Sequence, residues 1–516
     1  MSVELSRRDV MAAAGAAATS AALAGGAIAR EDPAGLGYRS AGELVAALAG
    51  RQVSARELVD SAITRIEALD PKINAVVVRD FERARITAAE ADATLARGER
   101  RPLLGLPMTV KEQYGVAGLP TTRGDPQFKG WKAEVDALAV QRLKAAGAII
   151  LGKTNVPIAM RDWQSYNEVY GTTNNPWDTS RSPGGSSGGA AAAIAAGFVP
   201  LELGSDMGGS LRCPAHFCGV FSHKPSLDLV PQRGPAPPQL PSVPLRGDLA
   251  VYGPMARSAA DLALGLAVVA GPDELAEGVG YKLALPPPRH DRLADFRVLV
   301  LDKHPLCPTA SSITERLNEL AERLGKSGCT IWRGSARLPD LARTTQIYCE
   351  LMAAAYGVDL PPEDSARFEV AAKALPPEDQ SLAAYRLRGI ASNHAEWIRA
   401  SRVRTALRGA WFNLFRDVDV VLCPPMPTVA FRHDHSAFFG RRLDIDGNQI
   451  RYLDQMAWAG IASLNGLPAT TMPIGKTEEG LPIGMQIIGG YLEDLTSIAF
   501  AGLVEREFGG FTPPPL

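Results

Sequence analysis

Residues Ser180–Ala215 read SRSPGGSSGGAAAAIAAGFVPLELGSDMGGSLRCPA. Two serine sites stand between paired glycines in this stretch. Ser186 and Ser187 lie within Gly184–Gly189, and Ser210 closes the run Gly204–Gly209. Serine is a weak nucleophile until a neighbouring group takes its proton. Paired glycines let the backbone turn sharply and approach a ligand closely. The Ala-rich run from Ala190 to Ala196 predicts a short helix whose first amides are unspent donors. The consecutive amides of Met207, Gly208 and Gly209 suit an oxyanion site. Upstream, Gly105-Leu-Pro-Met-Thr-Val-Lys111 predicts a strand and turn that deliver one lysine. A lysine and two serines brought together can perform acyl transfer without histidine.

The rest of the chain frames that segment. Its 516 residues can bury a large core, and 46% hydrophobic content argues for a globular fold. A formal net charge of −2 builds no field that would favour nucleic acid or an anionic membrane. Two Ser-x-x-Glu capping boxes, Ser40–Glu43 and Ser54–Glu57, open two helices, and a third runs from Phe81 to Leu95. A strand spans Leu104–Val110. Helix Asp136–Ala146 leads to strand Ala148–Leu151, and the Ala-rich helix to strand Val199–Leu203. Helix Ser258–Ala270, strand Val298–Leu301 and helix Ser311–Leu324 follow, then strands Val418–Leu422 and Ala469–Pro473. Alternation of helix and strand predicts an α/β fold around a large internal sheet. The Pro-rich segment 228–247 reads as a surface loop and the charged segment 360–385, helical in parts, as a covering region. No linker divides residues 30–516, which are expected to form one domain.

The first 29 residues read as an export signal. Arg7-Arg8 precedes a mildly apolar Ala/Gly run from Ala12 to Gly26, and Ala27-Ile-Ala29 offers a small-residue cleavage site. This layout predicts twin-arginine export, a periplasmic or secreted location and no membrane insertion afterwards. The six cysteines show no zinc-type pairing and are expected as buried free thiols.

The motifs go further. The chain resembles the amidase signature family through GLPMTVKEQYGVAGLPTTRG (105–124), TNVP (154–157), YGTTNNPWD (170–178) and SPGGSSGG (182–189). The likeness continues in GSDMGGSLRCPAHFCGV (204–220), NGLPAT (465–470) and GLPIGMQIIG (480–489). The motifs cover nearly the whole chain in family order. The resemblance implies a large mixed central sheet covered by helices on both faces. It also implies hydrolysis of linear carbon–nitrogen amide bonds by a Ser-cisSer-Lys triad through an acyl-enzyme, with ester cleavage as a side activity. Ser210 would be the nucleophile, Ser186 the bridging serine on a cis peptide, and Lys111 the base. The amides of Met207, Gly208, Gly209 and Ser210 would hold the oxyanion, and Met160 would meet the acyl group. Ser187, Asp206 and Arg212 would brace the loops. No cofactor or metal is implied, and the partner is a small amide substrate, with a homodimer left open. Two other readings remain: the glutaminase component of a tRNA-dependent amidotransferase, and a non-catalytic binding protein on the same fold.

The chemistry makes a demand on Lys111. A free lysine titrates at about 10.4, so a general base near neutrality needs a depression worth roughly 3–5 kcal/mol, which burial can supply. The sequence departs from the family at Glu112 (aspartate is usual), Ala190, Ile158 and Ser463, none of them a catalytic position. Gly147–Thr154 matches GxxxxGK[ST], but its spacer is an apolar strand where a phosphate loop needs a turn. His216 and His223 invite a Ser-His-Asp reading and His433-Asp434-His435 a metal site; structural roles fit the first two better and a solvated loop the third. Trp163, Tyr166 and Phe438 suggest room for an apolar or aromatic substrate group.

Overall fold

The computed structural model describes residues 37–234, 247–358 and 360–516. The expected signal segment 1–29 and most of the Pro-rich loop lie outside the described residues. Fifteen strands are described. The first eight are β1 (Val76–Arg79), β2 (Pro107–Lys111), β3 (Ile149–Thr154), β4 (Tyr166–Asn167), β5 (Gly171–Thr172), β6 (Leu201–Asp206), β7 (Phe221–Lys224) and β8 (Val251–Ala256). Then come β9 (Arg297–Val300), β10 (Thr330–Trp332), β11 (Val420–Cys423), β12 (Arg442–Ile445), β13 (Asn448–Arg451), β14 (Ala469–Lys476) and β15 (Pro482–Ile488). Eleven of them form one mixed sheet in the order β1-β3-β2-β6-β8-β7-β14-β15-β11-β9-β10. The inner strands β2, β3, β6, β7, β8 and β11 are buried along their whole length, as strands covered on both faces must be. This is the α/β fold expected from the sequence.

The parallel trio β3-β2-β6 positions the site. Helix Leu138–Ala145 crosses from β2 to β3, and helix Gly188–Ala195 crosses from β3 to β6 on the far side of β2. Lys111, Thr154 and Asp206 are the last residues of their strands. Polar side chains therefore gather at the carboxyl ends of parallel strands, where open α/β sheets bind ligands. Helix Gly188–Ala195 is buried at every residue and packs on β2, β3, β6 and β8. Its small side chains allow that approach: a Cβ on Gly189 would stand 2.4 Å from the backbone nitrogen of Asn155.

Both capping boxes form, at Ser40 and Ser54. Strand β3 runs three residues further than predicted, through Gly152-Lys153-Thr154. That continuation removes any phosphate loop there, and Gly147, at φ +94°, ends the preceding helix. Helix Pro362–Lys373 within the covering segment buries no residue. Helices Leu341–Gly357, Leu382–Ile390, His394–Leu414, Met456–Asn465 and Asp494–Phe508 were not anticipated. Met456–Asn465 is buried at every position, so it lacks the one-sided stripe that betrays a helix in sequence.

Ala192→Leu tests the packing of the central helix. Overpacking a closed core costs about 1–3 kcal/mol. The urea midpoint should fall with little change in slope.

Candidate active site

Lys111 ends β2 with 0% of its surface exposed. Across the ladder, Val110 pairs with Leu203, so the next rung sets Lys111 beside Gly204 of β6. That rung is bare, and a Cβ on Gly204 would stand 2.9 Å from Ser187 Oγ. The missing side chain is what admits the Ser186–Ser187 loop against the lysine. The Gly185–Ser186 peptide is cis. Gly185 has no room for a side chain either, since its Cβ would lie 2.4 Å from the carbonyl oxygen of Asp162. Ser165 Oγ clasps the loop, donating to Gly184 O at 3.0 Å and accepting from Gly188 N at 3.1 Å.

Hydrogen-bond donors set the direction of the lysine. Ser205 spends its one hydroxyl proton on Gln113 Oε1 at 2.6 Å. Ser205 Oγ can then only accept from Lys111 Nζ, at 3.0 Å. Lys111 Nζ also lies 2.7 Å from Ser186 Oγ. With an N–H committed to Ser205, the lone pair of a neutral Lys111 is available to the Ser186 hydroxyl. Burial pushes Lys111 down from 10.5 to about 7. Glu202 and Asp206 oppose the shift, and Arg123 adds to it.

The backbone of Ser210 reaches the same place. Its carbonyl accepts from Ser187 N at 3.2 Å, so the residue after Ser186 is bonded to Ser210. Ser210 is half-buried and opens toward solvent. The carbonyls before it are all held by donors. Met207 O accepts from Tyr348 OH at 2.8 Å, Gly208 O from Trp163 Nε1 at 2.8 Å and Gly209 O from Cys213 N at 2.7 Å. In a trans peptide the N–H points opposite to the C=O. Anchoring the carbonyls therefore aims the amides of Gly208, Gly209 and Ser210 the other way. Gly209 is an exception to the predicted donor set, because its N–H is spent on Asp206 Oδ1 at 2.9 Å. Among the described residues none accepts from the amides of Met207, Gly208 or Ser210.

Asp206 and Arg212 are bonded to each other behind this loop. Arg212 donates to both carboxylate oxygens, at 3.0 Å from Nε and 2.8 Å from Nη2, and both residues are fully buried. With Gly209 N, Leu211 N brings the bonds to Asp206 to four. Burial would raise the Asp206 carboxyl, but the Arg212 guanidinium, with help from Lys224 and Leu211 N, holds it at about 2. Arg212 also reaches Ala459 O, Gln486 Oε1 and Ser463 Oγ, so the departure at Ser463 serves as an acceptor. Glu112 caps the neighbouring turn, accepting from Thr122 N, Arg123 N and Tyr170 OH. Ala190 is buried in the central helix and Ile158 is exposed.

Met160 and Ala159 both adopt positive φ, at 61° and 49°. Two consecutive non-glycine residues in this region store backbone strain. Trp163 braces Gly208 through the bond already described. Tyr166 accepts from Arg441 Nη2 at 2.6 Å, and Phe438 packs over the same guanidinium. Arg441 is ion-paired to Asp162 at 2.6 Å, so these aromatics wall a salt bridge. The sequence reading missed a second wall. Helix Leu341–Gly357 brings Tyr348 OH and Met352 Sδ to 3.7 and 3.6 Å from where a Cβ on Gly208 would stand. Tyr356, two turns on, lies under Arg161 at 4.9 Å. The i, i+4, i+8 spacing of 348, 352 and 356 was the available signal. Ser205 and Gln113 were also missed, though each lies within two residues of a flagged position.

The histidines take structural roles. His216 Nδ1 accepts from Gly484 N at 2.6 Å, which leaves Nε2–H for Thr428 O, and burial pushes the ring down to about 4. His223 bridges Thr470 and Asp494. His435 stacks on Tyr166. All six cysteines are free and buried.

A family model described as Amidase matches residues 57–497. The chain belongs to the amidase signature family. It is 33% identical to a glutamyl-tRNA(Gln) amidotransferase component from Anaeromyxobacter sp. (strain K), covering 93% of this chain and 98% of that one. It is 32% identical to fatty-acid amide hydrolase 2-A of Danio rerio, over 91% and 90% of the two chains. A bacterial aryl acylamidase of the same family superposes with a TM-score of 0.76 at 24% identity, covering 92% of this chain and 96% of that one. That last likeness is one of fold.

Asp206→Asn separates loop bracing from chemistry. Breaking one half of a buried ion pair costs about 3–5 kcal/mol. Because the folded value of Asp206 lies below its ordinary 3.8, its stabilisation is complete above that value and is lost as pH falls through about 2. The difference in denaturation midpoint between wild type and variant should be constant from neutrality down to about pH 5 and narrow below it.

Proposed function

We propose that the protein is an amide hydrolase acting on linear carbon–nitrogen bonds through Ser210, Ser186 and Lys111, with no cofactor. The observation that carries this reading is the dry 2.7 Å contact between Lys111 Nζ and Ser186 Oγ, next to the loop of Ser210. Ser210 passes its hydroxyl proton to Ser186 as Ser186 passes its own to Lys111. The Ser210 oxygen then bonds to the substrate carbonyl carbon. Charge on the carbonyl oxygen is met by the amides of Met207, Gly208 and Ser210. Lys111 returns the proton through Ser186 to the leaving nitrogen, the C–N bond breaks, and an acyl-Ser210 ester remains. Water attacks that ester through the same relay.

Tyr348, Met352 and Tyr356 favour an apolar or aryl group on the substrate, next to Met160. The relatives support a second reading, the glutaminase component of an amidotransferase, since one curated relative at 33% identity belongs to such an enzyme. The Arg7-Arg8 segment supports the first, with residues 30–516 acting as one exported domain in the periplasm or outside the cell. Ammonia release from glutamine, together with co-purifying partner chains, would favour the second reading.

A panel of aryl, alkyl and peptide amides tests the assignment. Ser210→Ala should lose at least about a thousandfold in kcat/KM on any substrate the wild type cleaves; surviving turnover would sink it. Lys111→Ala should be folded by circular dichroism and equally inactive. Only neutral Lys111 accepts a proton, so wild-type kcat/KM should fall as pH drops through about 7. Replacing Arg7 and Arg8 with lysine should leave the protein in the cytoplasm on cell fractionation.

A further inference from the structure

Glu202 is a buried carboxyl that the mechanism does not use. It sits in β6 with none of its surface exposed. Its backbone pairs with Thr109 of β2, two residues before Lys111. Residues two apart on a strand share a face. Thr109, Lys111 and Glu202 therefore stand on the same face of the sheet, with Lys111 diagonal to Glu202. Thr154, paired with Lys111 on the other side of β2, reaches over the strand and donates to Glu202 Oε1 at 2.6 Å. The carboxyl is thereby held over β2, against the stem of the lysine. Its other oxygen, Oε2, is buried and makes no well-formed hydrogen bond among the described residues; Thr109 Oγ1, unbonded in the same way, is close enough to favour the ionised carboxyl.

A half-satisfied carboxyl in a dry core is costly and calls for an electrostatic reason. The neighbouring charges supply one. Lys111 is faced by Ser186 from the cis loop, Gln113 from just past its own strand end, Ser205, Asp206 and Glu202 from β6, Thr154 from β3, and Arg123 from the turn after β2. Asp206 is already neutralised by two bonds from Arg212. Of the other buried lysines, Lys153 pairs with Val110 and so lies on the opposite face, bonded to Pro120 O and Thr121 and 4.0 Å from Glu112, and Lys224 donates to Pro225 O and acts on Asp206. Glu202 is thus the carboxyl on the face of Lys111 that no cation holds by a direct ion pair.

We propose that Glu202 is a positioning residue that sets the proton affinity of Lys111, its charge rising as the lysine is protonated. The proposal rests on the general-base reading of Lys111. Without such a partner, burial alone would drive the lysine so low that it could hardly take a proton from serine. Burial lowers the Lys111 amine and raises the Glu202 carboxyl, and each group opposes the other's shift. The protons therefore belong to the pair rather than to either residue alone.

The test is the pH dependence of Ser210 labelling by a fluorophosphonate probe, which needs the activated serine but no identified substrate. In Glu202→Gln the shape and the Thr154 bond are kept and the charge is lost. The acid limb of the labelling rate should move to lower pH by about one unit, the size of an opposite-charge effect at close range. Thr154→Val, which removes the hydroxyl that favours the ionised carboxyl, should move it the same way by less, and serves if Glu202→Gln fails to fold. A rate that drops uniformly with an unmoved limb in the folded variants would overturn the role of Glu202. If instead Lys111→Ala labels Ser210 with the wild-type limb, the base reading itself fails and takes the proposal with it.

Discussion

The structure depends on keeping one amine out of water. A lysine in solvent is an ammonium and no base, so the base role proposed for Lys111 requires a dry amine. Dryness is built from the sheet outward. β2 is buried on both faces, the Ala-rich helix seals the side that carries Lys111, and glycines at the contacts let backbones close where side chains would hold them apart. The bare rung at Gly204 then leaves one opening, just wide enough for the Ser186–Ser187 loop.

Burial by itself would leave the amine unoriented. The chain of donors from Ser205 to Gln113 commits an N–H of Lys111 and turns its remaining valence to Ser186. The same economy appears in the 207–209 loop, where Tyr348, Trp163 and Cys213 hold the carbonyls and so direct the amides. Asp206 takes one of those amides for itself, in exchange for locking the loop to Arg212. In both places a hydrogen bond made behind the site determines what remains free in front of it.

Much of the fold was legible because its signals are local. Capping boxes at Ser40 and Ser54 and the apolar runs of β3 and β11 announce themselves over a few residues. Helices buried all round, such as Met456–Asn465, carry no stripe and passed unread. In the site, Ser186, Ser210 and Lys111 could be singled out because glycines and motif residues bracket them. The spacing of Tyr348, Met352 and Tyr356 marks one face of a helix, but a helix far along the chain carries no sign of the loop it will face.

The sequence alone pointed to a serine chemistry, because glycine-bracketed serines restrict the backbone, and left the base and the bond to the family resemblance. It also determined family and fold class, through motifs spread in order over the chain. Only the tertiary structure decided which amides stay free, how Lys111 is oriented, and that Glu202 stands beside it. Those outcomes depend on which strands become neighbours, and strand adjacency joins residues such as Lys111, Thr154 and Glu202 that no local spacing connects.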